Sequence, residues 1–493
     1  MEDSRKQSSL KMNLIYQMCY KILVLITPFI TSPYISRVLG AEALGLYSFT
    51  LSIVNYFLMF VYLGIDNYGC RVIAETRGKN DDEKLKQVFW EVYLLQLITG
   101  SIALAEYGIY CTFFVVENIE LFIIQGIAII AATIDINWYF AGTEQFKLTV
   151  TRNFIIKLVT VGSIFVFVKN QKDLPLYALI MVLGTFGSQV VMWLFLKKEI
   201  TLKKVSLKGI FSHLKPNILL FIPVIGVSIY HTMDKTMLGL LSDYTNVGYY
   251  YNADKIISMP LGMITGLSAV FLPRMANLVS SKGLSAGQNL LKKSFELNFA
   301  LACSMAFGIV AVAKDFVPWF FGTEFIPCTS LIAIFAPVLI IKTLSDFLQT
   351  QLLIPTNNEK IYTVATFCGA GINLVLNLVF IPKFGAWGAT IGTLGAEIAV
   401  LLIEGILSIK LFNIFTQVLN NLIYIIAALV MYVSVFMIEK FLFFDYFINV
   451  IIEVLTGVVI FAILVVPYSV LNKNCVFNKY FKNFRNQPPR NTL

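Results

Sequence analysis

The chain has 493 residues, 57% of them hydrophobic and 14% charged, with a net charge of +9 and a mean hydropathy of +0.76. Soluble domains carry roughly a quarter charged residues, so a soluble globular protein is excluded and an all-α polytopic membrane protein is expected. The surplus cations do not point to nucleic acid, because they fall in alternate loops, as membrane insertion requires.

Crossing a hydrocarbon core of about 30 Å takes roughly 20 apolar residues. Fourteen spans are expected, near 12–36, 46–66, 87–113, 121–140, 153–168, 175–196, 217–241, 248–272, 290–313, 327–353, 360–381, 387–409, 418–438 and 447–470. With the N-terminus cytoplasmic, the inside segments collect Arg71, Arg77, Lys79, Lys84 and Lys86, the run from Lys197 to Lys215, and Arg274 and Lys282. The outside loops hold only Arg37, Lys169, Lys172, Lys314, Lys383 and Lys440. Both termini are therefore expected in the cytoplasm. The polar start from Met1 to Ser9 reads as a retained cytoplasmic end, since the segment after it is too long for a signal-peptide core.

The expected organisation is a six-helix bundle over 1–196, a basic cytoplasmic linker over 197–216 and a second six-helix bundle over 217–412. Two further spans over 413–470 and a basic cytoplasmic tail over 471–493 complete it. The linker is amphipathic through Val205, Leu207, Ile210, Phe211 and Leu214. It either lies along the headgroups or is a solvated connection. The halves look duplicated. Ile35 to Tyr47 joins the first two spans through Leu39-Gly40 and Gly45-Leu46-Tyr47, and Lys235 to Tyr250 repeats the pattern with Leu238-Gly239 and Gly248-Tyr249-Tyr250. Arg71 follows Gly45, and Arg274 follows Gly248, at the same spacing of 26. Asp135 with Gly142, Glu144 and Lys147 resembles Asp346 with Pro355, Glu359 and Lys360. Halves related by an axis along the membrane normal place a substrate site between them.

No Gly-rich phosphate loop, metal-spaced His pair or nucleophile elbow occurs. Neither an enzyme nor a cofactor or metal is expected, and the seven scattered cysteines suggest no disulfide framework. The informative residues are ionisable groups inside spans, each of which needs a partner or a wet cavity. Lys21, Lys157, Lys235, Lys255 and Lys342 are the cations. Lys157 sits near a span end, where a snorkelling role suits it. His231 and Lys235 share one helical face, with Asp234 beside them and Asp254-Lys255 on the next span. Lys342 stands four residues before Asp346, which suggests an intrahelical pair. Lys21 has no acid at helical spacing, which suits an anionic substrate, and Arg37 at the end of the same span offers a bidentate contact. The expected buried acids are Asp66, Glu106, Asp135, Glu296, Glu397, Glu404 and Glu453. Glu397 and Glu404 could hold a coupling ion or neutralise Lys21 and Lys342.

Several stretches resemble the polysaccharide flippases, exporters of lipid-linked oligosaccharides within the multidrug/oligosaccharidyl-lipid/polysaccharide superfamily. They are Asn13 with Tyr16, Pro33-Tyr34-Ile35-Ser36-Arg37-Val38-Leu39-Gly40, Leu63-Gly64-Ile65-Asp66 with Tyr68-Gly69, and Asn137-Trp138-Tyr139-Phe140-Ala141-Gly142 with Glu144. The resemblance implies a bacterial inner-membrane transporter with two six-helix bundles around a cationic cavity. It also implies an undecaprenyl-pyrophosphate-linked sugar unit as substrate, and a polysaccharide polymerase and glycosyltransferases as pathway neighbours. Lys21 and Arg37 then occupy places where the related lipid II flippase has basic residues, with Lys235, Lys255, Lys342 and His231 completing the substrate-binding set. Asp66, Asp234, Asp254, Asp346, Glu397 and Glu404 are the ion-coupling or charge-partner set. A cation-coupled antiporter of the same superfamily is the alternative. A membrane-embedded polymerase is a third reading, which the short outside loops disfavour.

Overall fold

The computed structural model describes residues 2–79, 81–196, 200–201 and 203–471. Side chains are described from residue 23 onward, apart from 25, 219–220, 222–224, 227, 229–231, 269–270 and 469–471. The side chains of Lys21 and His231, and the tail beyond residue 471, therefore lie outside the described residues. Among those residues every regular element is helical, with no strand. The helices are α1 (Glu2–Tyr62), α2 (Ile65–Arg77), α3 (Asp82–Phe114), α4 (Ile119–Thr133), α5 (Asn137–Gly142), α6 (Phe146–Phe167), α7 (Leu174–Leu196), α8 (Leu207–Ser212) and α9 (Leu214–Leu241). There follow α10 (Tyr244–Lys282), α11 (Leu284–Phe320), α12 (Cys328–Phe347), α13 (Glu359–Phe384), α14 (Ala386–Leu407), α15 (Ile414–Asn420), α16 (Leu422–Glu439) and α17 (Tyr446–Leu471).

Twelve helices among the described residues are long and apolar enough to cross a membrane. The chain is a multi-pass membrane protein. The first candidate, Ile26–Arg77, runs straight through a break at Gly40, whose φ of 77° and ψ of 177° no helix allows. Glycine reaches that region without steric cost. α1 is thus two arms, turning where the hairpin was expected.

The chain divides into two compact units, 1–248 and 249–493. In the first, α1 packs on α3, α4, α6 and α9, and Phe89, Trp138, Tyr139 and Met192 centre a buried cluster. In the second, α11 packs on α12, α16 and α17, and α13 on α14. Its core gathers Phe295, Phe299, Phe347, Phe412 and Tyr424.

Several expectations need correction. The segment after the second span is no bare loop: α2 buries Ile65, Gly69, Ile73 and Thr76 at helical spacing. α10 and α11 extend past their expected ends and meet near Gly283. Asp66 and Glu106 are exposed rather than buried. Asp66 opens α2 after the Leu63–Gly64 turn, and Glu106 points away from the face on which Ala103 and Tyr107 are buried. Lys157 is half-buried.

Two of the family-like motifs meet. Gly69 of α2 lies flat on Trp138 of α5, where an added Cβ would sit 2.8 Å from the indole. Gly142 faces the Cys70 carbonyl oxygen at 2.7 Å in the same sense. The break between α4 and α5 is satisfied by polar partners. Gln96 Nε2 donates to the carbonyls of Ala132 (2.7 Å) and Asp135 (2.9 Å), and Trp138 Nε1 donates to Gln96 Oε1 (2.9 Å). Asp135 accepts from the Asn137 amide at 2.7 Å. A broken helix inside a membrane needs this internal accounting. Glutamate 144 (φ 58°) and Asn357 (φ 56°) adopt the left-handed conformation three residues before Lys147 and Lys360, which sharpens the register of the repeat.

Gly142→Ala should cost about 1–3 kcal/mol of overpacking and lower the melting temperature of the purified protein. Gly187→Ala, with nothing within 4 Å, should leave it unchanged. Equal melting curves for the two variants would contradict the α2–α5 contact.

Candidate functional site

The two hairpins read as copies of one another are in contact within the first unit. A Cβ on Gly45 would overlap the Tyr244 carbonyl and sit 2.8 Å from the Gly248 amide nitrogen. A Cβ on Gly248 would overlap the carbonyl of Ala41. The glycines at matching positions of the repeat therefore bring two backbones together with no side chain between. Further along, Gly239 admits the Phe49 ring, and Ser52 Oγ and Thr236 Oγ1 share a hydrogen bond of 2.8 Å between α1 and α9. Small residues and hydroxyls hold helices together in lipid, where apolar contact alone favours no partner.

Charged residues continue this seam. Asp234 is buried within electrostatic reach of Tyr56, and Lys235 is half-buried beside it. Arg37 is exposed on the arm before Gly40. Asp66 lies in the field of Tyr62 and Asp135, a pair joined at 3.3 Å.

The second unit holds its own cluster. Lys342 of α12 donates to Glu397 of α14 at 2.8 Å, both largely buried. Lys342 thus bonds to Glu397 across the helix interface. Asp346, the expected intrahelical partner, lies within its electrostatic reach, as does Asp254. Geometry explains the difference, because a lysine stem on α12 reaches α14 directly where the two pack. Glu404 accepts from Gln349 at 2.8 Å, in the π-helical turn Leu348–Leu353 that continues α12. Lys255 sits over the Tyr251 ring, 4.3 Å from its centre, a cation–π arrangement. Asp254 accepts from Ser258 at 3.2 Å.

Sequence reasoning missed a trio built on a buried His213 and Glu91. His213 Nδ1 meets the Tyr68 hydroxyl at 2.6 Å, and its Nε2 meets Glu91 Oε2 at 3.1 Å. These contacts tie the end of the linker to α2 and α3, so the linker is docked rather than merely solvated. Ile210 is buried with it, while Leu207 and Phe211 stay exposed. The signal was available: His213 is one of only two histidines, on the face shared with Ile210. Sequence reasoning also passed over Arg152. It is buried, bonded to Asn137 Oδ1 at 3.0 Å and the Ser188 carbonyl at 3.2 Å. A cavity of about 580 Å³ opens beside it between α6 and α7, mostly apolar, with Lys147 and Glu144 in its lining.

A family model described as "Polysaccharide biosynthesis protein" matches residues 10–279. The chain belongs to this polysaccharide biosynthesis protein family. The flippase resemblance read from the motifs is thereby borne out. The chain is 24% identical over 397 residues to a putative O-antigen transporter of Escherichia coli K12, covering 80% of this chain and 95% of that protein. It is also 24% identical over 379 residues to a probable low-salt glycan biosynthesis flippase of Haloferax volcanii, covering 74% and 76%. Among solved structures, the lipid II flippase MurJ in an inward closed conformation superposes with a TM-score of 0.72 at 14% identity, over 95% of this chain and 99% of that one. That likeness shows a shared fold. The range matched to the polysaccharide biosynthesis family contains both hairpins and the α5 motif. Lys342, Asp346, Glu397 and Glu404 lie beyond it.

Two outcomes are expected. Gly45→Leu should disfavour the closed seam by about 1–3 kcal/mol, roughly a 5- to 150-fold loss of the closed form. Surface polysaccharide should fall accordingly at matched protein level, while Gly266→Leu, in open space, should export normally. Lys342→Ala strands Glu397 and should cost about 3–5 kcal/mol. The double variant Lys342→Met/Glu397→Met should recover most of that loss in thermal unfolding.

Proposed function

We propose that this chain is a flippase that moves undecaprenyl-pyrophosphate-linked oligosaccharide repeat units from the cytoplasmic to the outer leaflet of the bacterial cytoplasmic membrane. The units then feed surface polysaccharide assembly. The observation that carries this reading is the seam between the repeated hairpins. Its contacts include glycine backbones, a Ser52–Thr236 hydrogen bond, a buried Asp234 and the Phe49–Tyr244 ring pair. Glycine backbones and hydroxyls give such a seam close contacts that can part and offer polar groups to a cargo. It suits a passage that must open for a polar cargo and close again.

In the proposed layout fourteen spans run with both termini in the cytoplasm. Bundles over 1–196 and 217–412 alternate about the substrate, with 413–470 as an added helical pair. Lys21, Arg37, Lys235, Lys255, Lys342 and His231 supply positive charge and hydrogen bonds to the pyrophosphate and first sugars. The polyprenyl chain remains in the bilayer. Asp66, Asp234, Asp254, Asp346, Glu397 and Glu404 hold those cations in place or take a coupling ion. The relatives' names, an O-antigen transporter and a glycan flippase, support this cargo class. Glycosyltransferases and a polymerase are the proposed neighbours, one group making the lipid-linked unit and the other consuming it.

A cation-coupled antiporter draws on one observation, the acids Asp346 and Glu397 gathered around Lys342, with Glu404 within electrostatic reach of both acids. Charge at Lys21 separates the readings. Lys21→Ala and Lys21→Gln should abolish export of lipid-linked units in a strain lacking the chromosomal copy, with protein abundance unchanged, and Lys21→Arg should restore it. Normal export in the alanine variant would remove Lys21 from the site.

A further inference from the structure

Away from the hairpins, α6 and α7 leave between them the cavity of about 580 Å³ that adjoins Arg152. Its size is that of a small-ligand site, and its walls divide by chemistry. Glu144 and Lys147 stand where α6 begins, with Thr151 and Arg152 further along. Ile155 and Ile156 of α6 and Phe195 of α7 form an apolar wall. Ile155 is 55% and Phe195 44% exposed, so that wall is open to the surrounding bilayer.

Length narrows the occupant. From Lys147 to Ile156 the cavity follows α6 for about 14 Å, at about 1.5 Å per residue. One leaflet supplies about half of a hydrocarbon core of about 30 Å, so the apolar wall matches the tail of a single lipid. A spanning helix from another protein needs a groove about twice as long.

Charge narrows it further, because the polar end carries both signs. Lys147 and Glu144 are exposed on the rim, and among the described residues neither side chain is in an ion pair. Arg77 adds a cation there, donating to the Thr143 carbonyl just before Glu144. Arg152 is buried at the base. Its hydrogen bonds to Asn137, Asn153 and the Ser188 carbonyl go to neutral acceptors, which orient the guanidinium without cancelling its charge. Asp135 lies within its electrostatic reach. The site therefore suits an amphiphile whose head holds a phosphate and an ammonium side by side.

We propose that this cavity binds one phosphatidylethanolamine molecule. The phosphate meets Lys147 in the field of Arg152, the ammonium meets Glu144, and an acyl chain lies along Ile155, Ile156 and Phe195. A phosphatidylglycerol head lacks the cation that complements Glu144. A phosphatidylcholine head presents methyl groups where the ammonium has hydrogen-bond donors. The assignment stands whether or not the flippase reading does, because binding is measured without transport.

Native mass spectrometry of the detergent-purified full-length protein tests it, with phosphatidylethanolamine, phosphatidylglycerol and phosphatidylcholine of identical acyl chains added in turn. The first phosphatidylethanolamine should bind more tightly than either of the others. Lys147→Gln should weaken that step about fivefold, the worth of one lysine beside a lipid phosphate. Glu144→Gln should erase the preference for phosphatidylethanolamine over phosphatidylglycerol. Thr151→Trp, at an exposed position of the lining, should block the first step by filling the cavity. Glu106→Gln, exposed on α3, should bind as the wild type does. Equal affinities of the three lipids for the wild type overturn the proposal, with no variant needed. So does a preference that survives all three cavity substitutions. Displacement of the bound lipid by farnesyl pyrophosphate at equal concentration also overturns it, since the cavity would then belong to a pyrophosphate-linked cargo.

Discussion

A charge or strong dipole enclosed by apolar helices has to be neutralised by its neighbours, because neither lipid nor packed side chains will do it. That constraint organises this fold more than apolar packing can. Hydrocarbon surrounds the helices as readily as other helices do, so leucines and phenylalanines do not choose partners. Polar groups choose them. Glu397 fixes α14 against α12 through Lys342, Tyr424 fixes α16 against α11 through Glu296, and Glu91 brings the linker's His213 onto α3. Arg152 does the same for α6 and α7 through the Ser188 carbonyl.

The hairpin seam follows the opposite logic. The backbones of Gly45 and Gly248 approach because neither carries a side chain. Dispersion over such a patch is short-ranged and collectively useful. A molecule built this way has stiff joints inside its helix groups and a soft one at the repeat.

Much of this was legible in the sequence, for physical reasons that differ by residue. Span positions follow from hydropathy, which the bilayer enforces over some twenty residues. The Gly40 turn and the matched glycines were visible because close backbone approach leaves few alternatives to glycine. Partners across helices were not legible. Lys342 has an acid at helical spacing in Asp346, but its bond goes to Glu397, fifty-five positions away, and sequence spacing carries no information about which helix stands opposite. Helix α2 escaped notice because Arg71, Glu75 and Arg77 on its outer face mask the buried row of Ile65, Gly69 and Ile73. His213 was hidden for a related reason, lying in a basic stretch whose charge suggested solvent. For the candidate site, the sequence identified the charged residues and left their pairing open.

The soft joint also sets an order of events during synthesis. Its first half, around Gly45, enters the membrane about two hundred residues before Gly248 is made. At about 5–20 residues per second the bare glycine surface and the hydroxyl of Ser52 spend roughly 10–40 s without their counterpart. During that interval the opening hairpin is an incomplete structure. The arrival of α9 and the first turns of α10 is therefore the point at which that surface is first covered.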